Sequence, residues 1–430
     1  MGHIGETELA AYALIQIILV RFVNGILLGM ASALETLCGQ AFGARHNHMM
    51  GIYLQRSWVV LLATSTILVP VFIFTSPILR LIGQEEELSA VAGNISIWFI
   101  PIVYYFVFSM TMQMSLQAQR KNMIIGWLSS ALFVVHLTLS WLFVYKLNLG
   151  IPGAMGAMFI STWSIVIGEF IYVFGGWCPE TWKGFSKHAF TDLWPVVKLF
   201  VSSGVMLCIE LWYNAVLVLF AGYMKNATTA ISAFSICLNI TAWEFMISLG
   251  FLTGACVRVA NELGSGDAGA AKFAIKVNLS TSVSLGVIFS VLFLVFGHVL
   301  SYAFTSSTVV ARAVSSLSGL LALSVLLNSV QPVLSGVAIG SGWQSVVAYV
   351  NLGCYYIVGI LIGLLLGYVA KLDVRGIWIG MICGVALQTL VLLWITWRTD
   401  WDAQVEKASQ RLNRWFLAPS QENDENTSHA

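Results

Sequence analysis

Residues 33–45 read ALETLCGQAFGAR, where a glutamate, a glutamine, two glycines and an arginine close a long apolar run. The same pattern returns 221 residues later: Leu28-Gly29 falls on Leu249-Gly250, Gln40 on Asn261 and Gly43 on Gly264, inside LGFLTGACVRVANELGSG. A second landmark agrees at an offset of 223, where Leu149, Gly153, Ala157 and Met158 fall on Leu372, Gly376, Gly380 and Met381. Two landmarks at nearly one spacing imply a chain built from two similar halves. Within that frame the polar knot is a repeated structural element at the end of a helix, with Glu35 and Gln40 stabilising that end and its loop.

The medium follows from composition. The 430 residues are 58% hydrophobic and 10% charged, with a mean hydropathy of +0.84, far more apolar surface than one soluble core covers. The net charge of +1 provides no basic field for a nucleic acid. Seven cysteines are scattered through apolar segments without metal spacing and read as small buried hydrophobes. No cleavable targeting segment is visible at the start.

A helix needs about 20 apolar residues to cross the hydrocarbon. Eleven runs qualify, near 9–35, 56–79, 91–114, 123–145, 153–176, 194–222, 228–254, 273–303, 309–336, 343–369 and 375–398. Only helices satisfy their own backbone in lipid, so the fold class is an all-α membrane bundle. Fourteen basic residues collect on one set of loops and six on the other, which places the first set in the cytosol. The expected domains are an N-lobe (1–177), a cytosolic linker (178–193), a C-lobe (194–398) and a tail (399–430). The aromatic and basic linker suits the membrane interface, and Trp401, Val405, Leu412 and Trp415 outline an amphipathic surface helix ahead of a polar, disordered end. Under the repeat, the partner of helix 194–222 would fall before Met1, so the first half reads as one helix short of six.

Ionisable groups at membrane depth are costly and therefore functional candidates. Glu210, in VMLCIELWYNAVLVLF, leads as a reversible proton carrier, ahead of a merely structural core carboxyl. Trp212, Tyr213 and Asn214 follow it in sequence and, with Asn239, Glu244, Asn328 and Gln331, are assigned to a substrate cavity. Asn239 and Glu244 lie in SICLNITAWEFMIS, five residues apart and so well separated around the helix. Asn328 and Gln331, three apart in LLNSVQPVLSG, share a face, and Pro332 should bend or break the helix and free carbonyls there. For each of these amides, interhelical hydrogen bonding is as good a reading as cavity lining. Glu169, His136 and His298 read as structural. No GxSxG, HExxH or P-loop occurs, so the chain is read as a non-enzyme that needs no cofactor and runs on an ion gradient.

The stretches ASALETLCGQAFGA, VRVANELGSG, ETWKGFS, PVLSGVAIGSGWQ and AYVNLGCYYIVGI together resemble the multidrug and toxic compound extrusion (MATE) transporters. The resemblance lies with the plant detoxification branch and is nearest to members that load flavonoids into the vacuole. It implies twelve helices in two six-helix lobes around a cavity, of which the first is absent here, and exchange of protons for small organic compounds by alternating access. It implies proton coupling at Glu210, in CIELWYN, and a monomer in the vacuolar or plasma membrane. Many relatives carry an aspartate where this chain has Asn328, so Glu210 is expected to work largely alone. The alternatives are an inactive or regulatory membrane fragment and a lipid-linked saccharide flippase.

Overall fold

The computed structural model describes residues 5–222, 228–302 and 308–414, and among these it is helical with no strand. Eleven helices are long and apolar enough to cross a membrane. They are α1 (Glu6–Gly43), α2 (Met49–Ile73), α3 (Glu86–Ala118), α4 (Asn122–Lys146) and α5 (Gly150–Trp177). Then come α6 (Leu193–Gly222), α7 (Thr228–Ser265), α8 (Ala268–Ser301), α9 (Thr308–Ser341), α10 (Gln344–Val369) and α11 (Asp373–Arg398). A short helix α12 (Trp401–Arg414) follows. Each expected span is present, and most helices run past the apolar stretches that announce them, whereas α2 stops at Ile73 and a separate short helix covers Thr75–Leu81.

That overrun changes the reading of the opening knot. Helix α1 continues to Gly43, so Glu35, Thr36 and Gln40 lie inside it and are buried. The knot is helix interior at the polar end of a span, and the turn comes only after it. There Arg45 adopts φ 60°, its N–H reaches the Phe42 carbonyl at 3.1 Å, and the His46 N–H reaches the Ala41 carbonyl at 2.9 Å. This pair of bonds around a left-handed residue satisfies the last carbonyls of a helix. Helix α7 ends the same way at Gly266 (φ 85°), with Asp267 N–H on Glu262 and Gly266 N–H on Leu263. Arg45 and Gly266 are 221 residues apart, so the sequence offset reappears as a duplicated cap.

The second landmark is duplicated just as closely. Asn148 and Gly150 (φ 49° and 60°) frame the turn into α5, and Lys371 and Asp373 (φ 55° and 49°) frame the turn into α11. In one, the Leu149 N–H bonds the Phe143 carbonyl at 3.0 Å, and in the other Leu372 bonds Leu366 at 3.0 Å. Each is a tight hairpin between neighbouring apolar helices.

The chain divides into two compact units, the described residues up to Gly204 and Val205–Arg414, with the division inside α6. In the first unit the Trp58 indole N–H donates to Thr111 Oγ1 at 2.9 Å, tying α2 to α3, and Phe108, Phe170, Trp182 and Phe185 ring Trp58. The segment after α5 is held on α2: Gln55 donates to the Gly184 carbonyl and accepts from the Ser186 N–H, both at 2.9 Å, while Arg56 donates to the His188 carbonyl at 3.2 Å. Phe185 and Phe190 remain exposed.

In the second unit α7 packs along α9 through glycine. A Cβ at Gly336 would fall 2.2 Å from the Leu252 carbonyl oxygen, and one at Gly340 would fall 2.5 Å from that of Cys256. Helices α10 and α11 meet through two glycine stripes, where a Cβ at Gly380 would fall 2.3 Å from the Gly363 backbone and one at Gly376 would fall 2.5 Å from Gly367. With no hydrophobic effect between helices in lipid, such close approach supplies the packing that holds them. The terminal helix α12 is amphipathic as expected, with Trp415 outside the described residues. Trp401, Ala408 and Leu412 are buried in and around a cluster with Val333, Val337, Ala255 and Ala271, so its apolar face rests on protein. The Trp343 indole N–H donates to Gln404 at 3.0 Å, and Arg411 lies over Gly342 (φ 82°).

These contacts predict opposite outcomes for similar changes. Gly380→Leu forces the α10 and α11 backbones apart and should cost about 1–3 kcal/mol or more, whereas Gly319→Ala meets open space and should be neutral or stabilising by up to about 1 kcal/mol. Thermal melting of the detergent-purified protein separates the two; equal melting temperatures would contradict the packing assigned to the glycine stripe.

Candidate functional site

Placing a carboxyl on an apolar helix obliges neighbouring helices to supply its donors. For Glu210, on α6 within the second unit, the donor comes from α9: Gln331 Nε2 bonds Oε1 at 2.9 Å and also reaches Ser335 Oγ at 3.0 Å. The Asn351 side chain on α10 approaches the same carboxyl. Oε2 is buried with no hydrogen-bond partner.

Behind Asn351 runs a closed chain of polar groups. Gln388 Nε2 on α11 donates to Asn351 Oδ1 at 2.7 Å, and Gln388 Oε1 accepts from the Tyr355 hydroxyl at 2.6 Å. Asn351 and Gln388 are fully buried. Tyr355 stacks on Tyr213 with ring centroids 4.4 Å apart and planes 5° from parallel. The Tyr213 hydroxyl bonds the Gly380 carbonyl at 3.3 Å and fits beside Gly359 and Gly384, where a Cβ would fall 2.2 and 2.6 Å from it. The glycine stripe that joins α10 to α11 thus also makes room for the tyrosine one turn along α6 from Glu210.

A second carboxyl lies in the same unit. Glu244 on α7 is 4% exposed; its Oε1 accepts from Ser248 Oγ at 2.7 Å and Asn328 on α9 reaches the same group. Its Oε2 is also buried without a partner. Asn328 and Gln331, three residues apart on one face of α9, therefore each serve a different glutamate.

The structure joins Glu210 to Gln331, with Tyr213 one turn along α6, and Glu244 to Asn328. Trp212 and Asn239 are exposed, whereas Tyr213, Glu244 and Gln331 are buried and Glu210 and Asn328 partly so. Asn214 lies in α6, but its side chain is outside the described residues, as is that of His298. Helix α9 runs unbroken through Pro332, which corrects the expected break; proline's missing N–H still withholds one helical bond from the Asn328 carbonyl. In the first unit Glu169 is fully buried, with Gln113 Nε2 on its Oε1 at 3.0 Å and Ser109 Oγ at 3.4 Å, and His136 pairs with Ser161 at 3.0 Å. Asn351, Tyr355, Gln388 and Ser335 escaped the sequence reading. Asn351 and Gln388 carried a signal all the same, a lone amide in each of two apolar spans. Among the described residues no cluster has the makings of a metal site.

Comparison with known proteins agrees with this architecture. The MatE family model matches residues 1–142 and 203–365. Protein DETOXIFICATION 21 of Arabidopsis thaliana is 55% identical over 98% of this chain and 85% of its own length, and Protein DETOXIFICATION 20 of the same plant is 55% identical over 98% and 86%. The crystal structure of the eukaryotic MATE transporter AtDTX14 superposes with a TM-score of 0.88 at 32% identity, covering 96% of this chain and 92% of that one. The chain belongs to the MATE family and is a multi-pass membrane efflux transporter.

The amide chain makes a stability prediction. Gln388→Leu strands Asn351 Oδ1 and the Tyr355 hydroxyl and should cost roughly 1–3 kcal/mol per stranded group. Adding Tyr355→Phe should recover part of that loss, because it removes one of the two stranded groups while leaving Asn351 with Glu210 and the Met206 carbonyl. A double variant melting below the single variant would contradict it.

Proposed function

We propose that this transporter exchanges protons for small organic compounds, organic cations and flavonoid-like secondary metabolites or xenobiotics, by alternating access between lobes 1–177 and 194–398. The observation that carries the reading is Glu210: a carboxyl within an apolar helix, one oxygen held by Gln331 and the other buried and unpaired. Such a group is cheap to keep as the neutral acid and expensive to keep as the anion. It therefore holds a proton while enclosed and gives it up when water reaches it, the cycle an antiporter needs. The names of the plant relatives support outward clearance of organic compounds, and plant membranes with an acidic far side, vacuolar or plasma, supply the gradient.

The test uses the full chain in liposomes with an acidic interior and rhodamine 6G outside. Wild type should accumulate dye and release protons. Glu210→Gln keeps size and hydrogen-bonding capacity but cannot titrate, and should lose about 100-fold or more of the acid-driven uptake while eluting as a folded protein. Undiminished uptake by the variant would sink the role of Glu210, and indifference of wild type to the pH gradient would sink the coupling.

A further inference from the structure

The second carboxyl of this unit has no place in a one-glutamate cycle, yet its surroundings copy those of the first. Glu244 and Glu210 sit on different helices, α7 and α6. Each has one oxygen in a neutral hydrogen bond, from Ser248 and Gln331 respectively, and one oxygen buried without a partner. Each is met by an amide of α9, Asn328 for one and Gln331 for the other. Those amides are three residues apart on a single helix face, so one rigid element touches both carboxyls.

No cation among the described residues compensates Glu244. The side chains that meet its carboxyl are Ser248 and Asn328, both neutral. On α7 itself the charged groups are Arg258 and Glu262, which pair with each other at 2.9 Å, and Glu262 lies about five turns along the helix from Glu244. On α8, Lys272 and Lys276 occupy the first turns, at that same end of α7. The charged residue of α9 is Arg312, near its start, and α12 docks through Trp401, Ala408 and the Trp343–Gln404 bond, in a cluster with Leu263. A permanent carboxylate at this position would have only a hydroxyl and an amide to replace its water, which is poor compensation. The neutral acid fits the enclosed state.

We propose that Glu244 is a second proton-carrying residue of the transport cycle, joined to Glu210 through Asn328 and Gln331 on α9. The inference rests on the proton-coupled reading above. In the step, the O–H bond of the protonated Glu244 carboxyl breaks and the proton passes to water. The carboxylate left behind is held by the Ser248 hydroxyl and the Asn328 amide until a proton from the acidic side restores the acid. Because Asn328 and Gln331 share a helix face, a change of charge at either carboxyl pulls on the same short stretch of α9. That stretch ends at Pro332, where a helical bond is missing.

The assay is the same acid-interior liposome uptake of rhodamine 6G by the full chain, with folding followed by size-exclusion profile and melting temperature. Glu244→Gln should cut acid-driven uptake by about tenfold or more and make the residual uptake less dependent on internal pH. Glu244→Asp, still an acid, should keep coupled uptake at a reduced rate. Glu244→Gln combined with Asn328→Asp moves the carboxyl to the neighbouring side chain and should restore acid-driven uptake, while Glu244→Gln with Asn328→Leu should not. If Glu244→Gln fails to fold, the Asp variant and the combined variant decide between the outcomes. Wild-type uptake and pH dependence in Glu244→Gln, or failure of Asn328→Asp to restore a folded Glu244→Gln protein, would overturn the proposal. These failures leave Glu210 untouched, whereas a wild type without acid-driven uptake, or an active Glu210→Gln, defeats the broader reading.

Discussion

Everything polar in the second unit depends on how closely its helices approach. Between apolar helices in lipid, burial gives little net attraction, and what remains is contact distance and the hydrogen bonds that contact permits. Gly336 and Gly340 let α9 lie against the α7 backbone, and the stripe of Gly359, Gly363 and Gly367 against Gly376, Gly380 and Gly384 does the same for α10 and α11. Side-chain amides are short, and Asn328, Gln331, Asn351 and Gln388 reach their partners only because no bulky residue props these helices apart.

The fold was readable because its signals are carried by single residues at fixed spacing. Eleven apolar runs announced eleven helices, and the 221- and 223-residue offsets, taken from Leu, Gly and Met matches, reappear in backbone geometry as paired caps and paired hairpin turns. Helix ends were misjudged for a physical reason. Hydropathy falls where a helix leaves the hydrocarbon, but the hydrogen-bonded backbone continues until a left-handed residue stops it, at Arg45 and Gly266 rather than near 35 and 254.

The site was only half legible. Glu210 and Glu244 stood out as charges in apolar spans, but their partners are set by which helix faces which, and one helix's periodicity does not contain that. Gln331 was credited with a face, not with Glu210, and Asn328 was read as a cavity or interhelical amide without its partner Glu244 on α7. Trp212, only two residues from Glu210 in sequence, is exposed, whereas Glu210 is partly buried. Asn351 and Gln388 were passed over because single amides in membrane helices are so often simple ties between neighbours, which is also what they are to each other.

The docking of α12 bears on how α9 can deform. Around the end of α9, Trp343 is bonded to Gln404 and packs with its ring tilted against Trp401, and Arg411 covers the turn at Gly342. A rod clamped at one end and missing one internal bond at Pro332 yields at the gap. Bending of α9 is thereby easiest just beside Asn328 and Gln331, and the short terminal helix sets the fixed end of that lever.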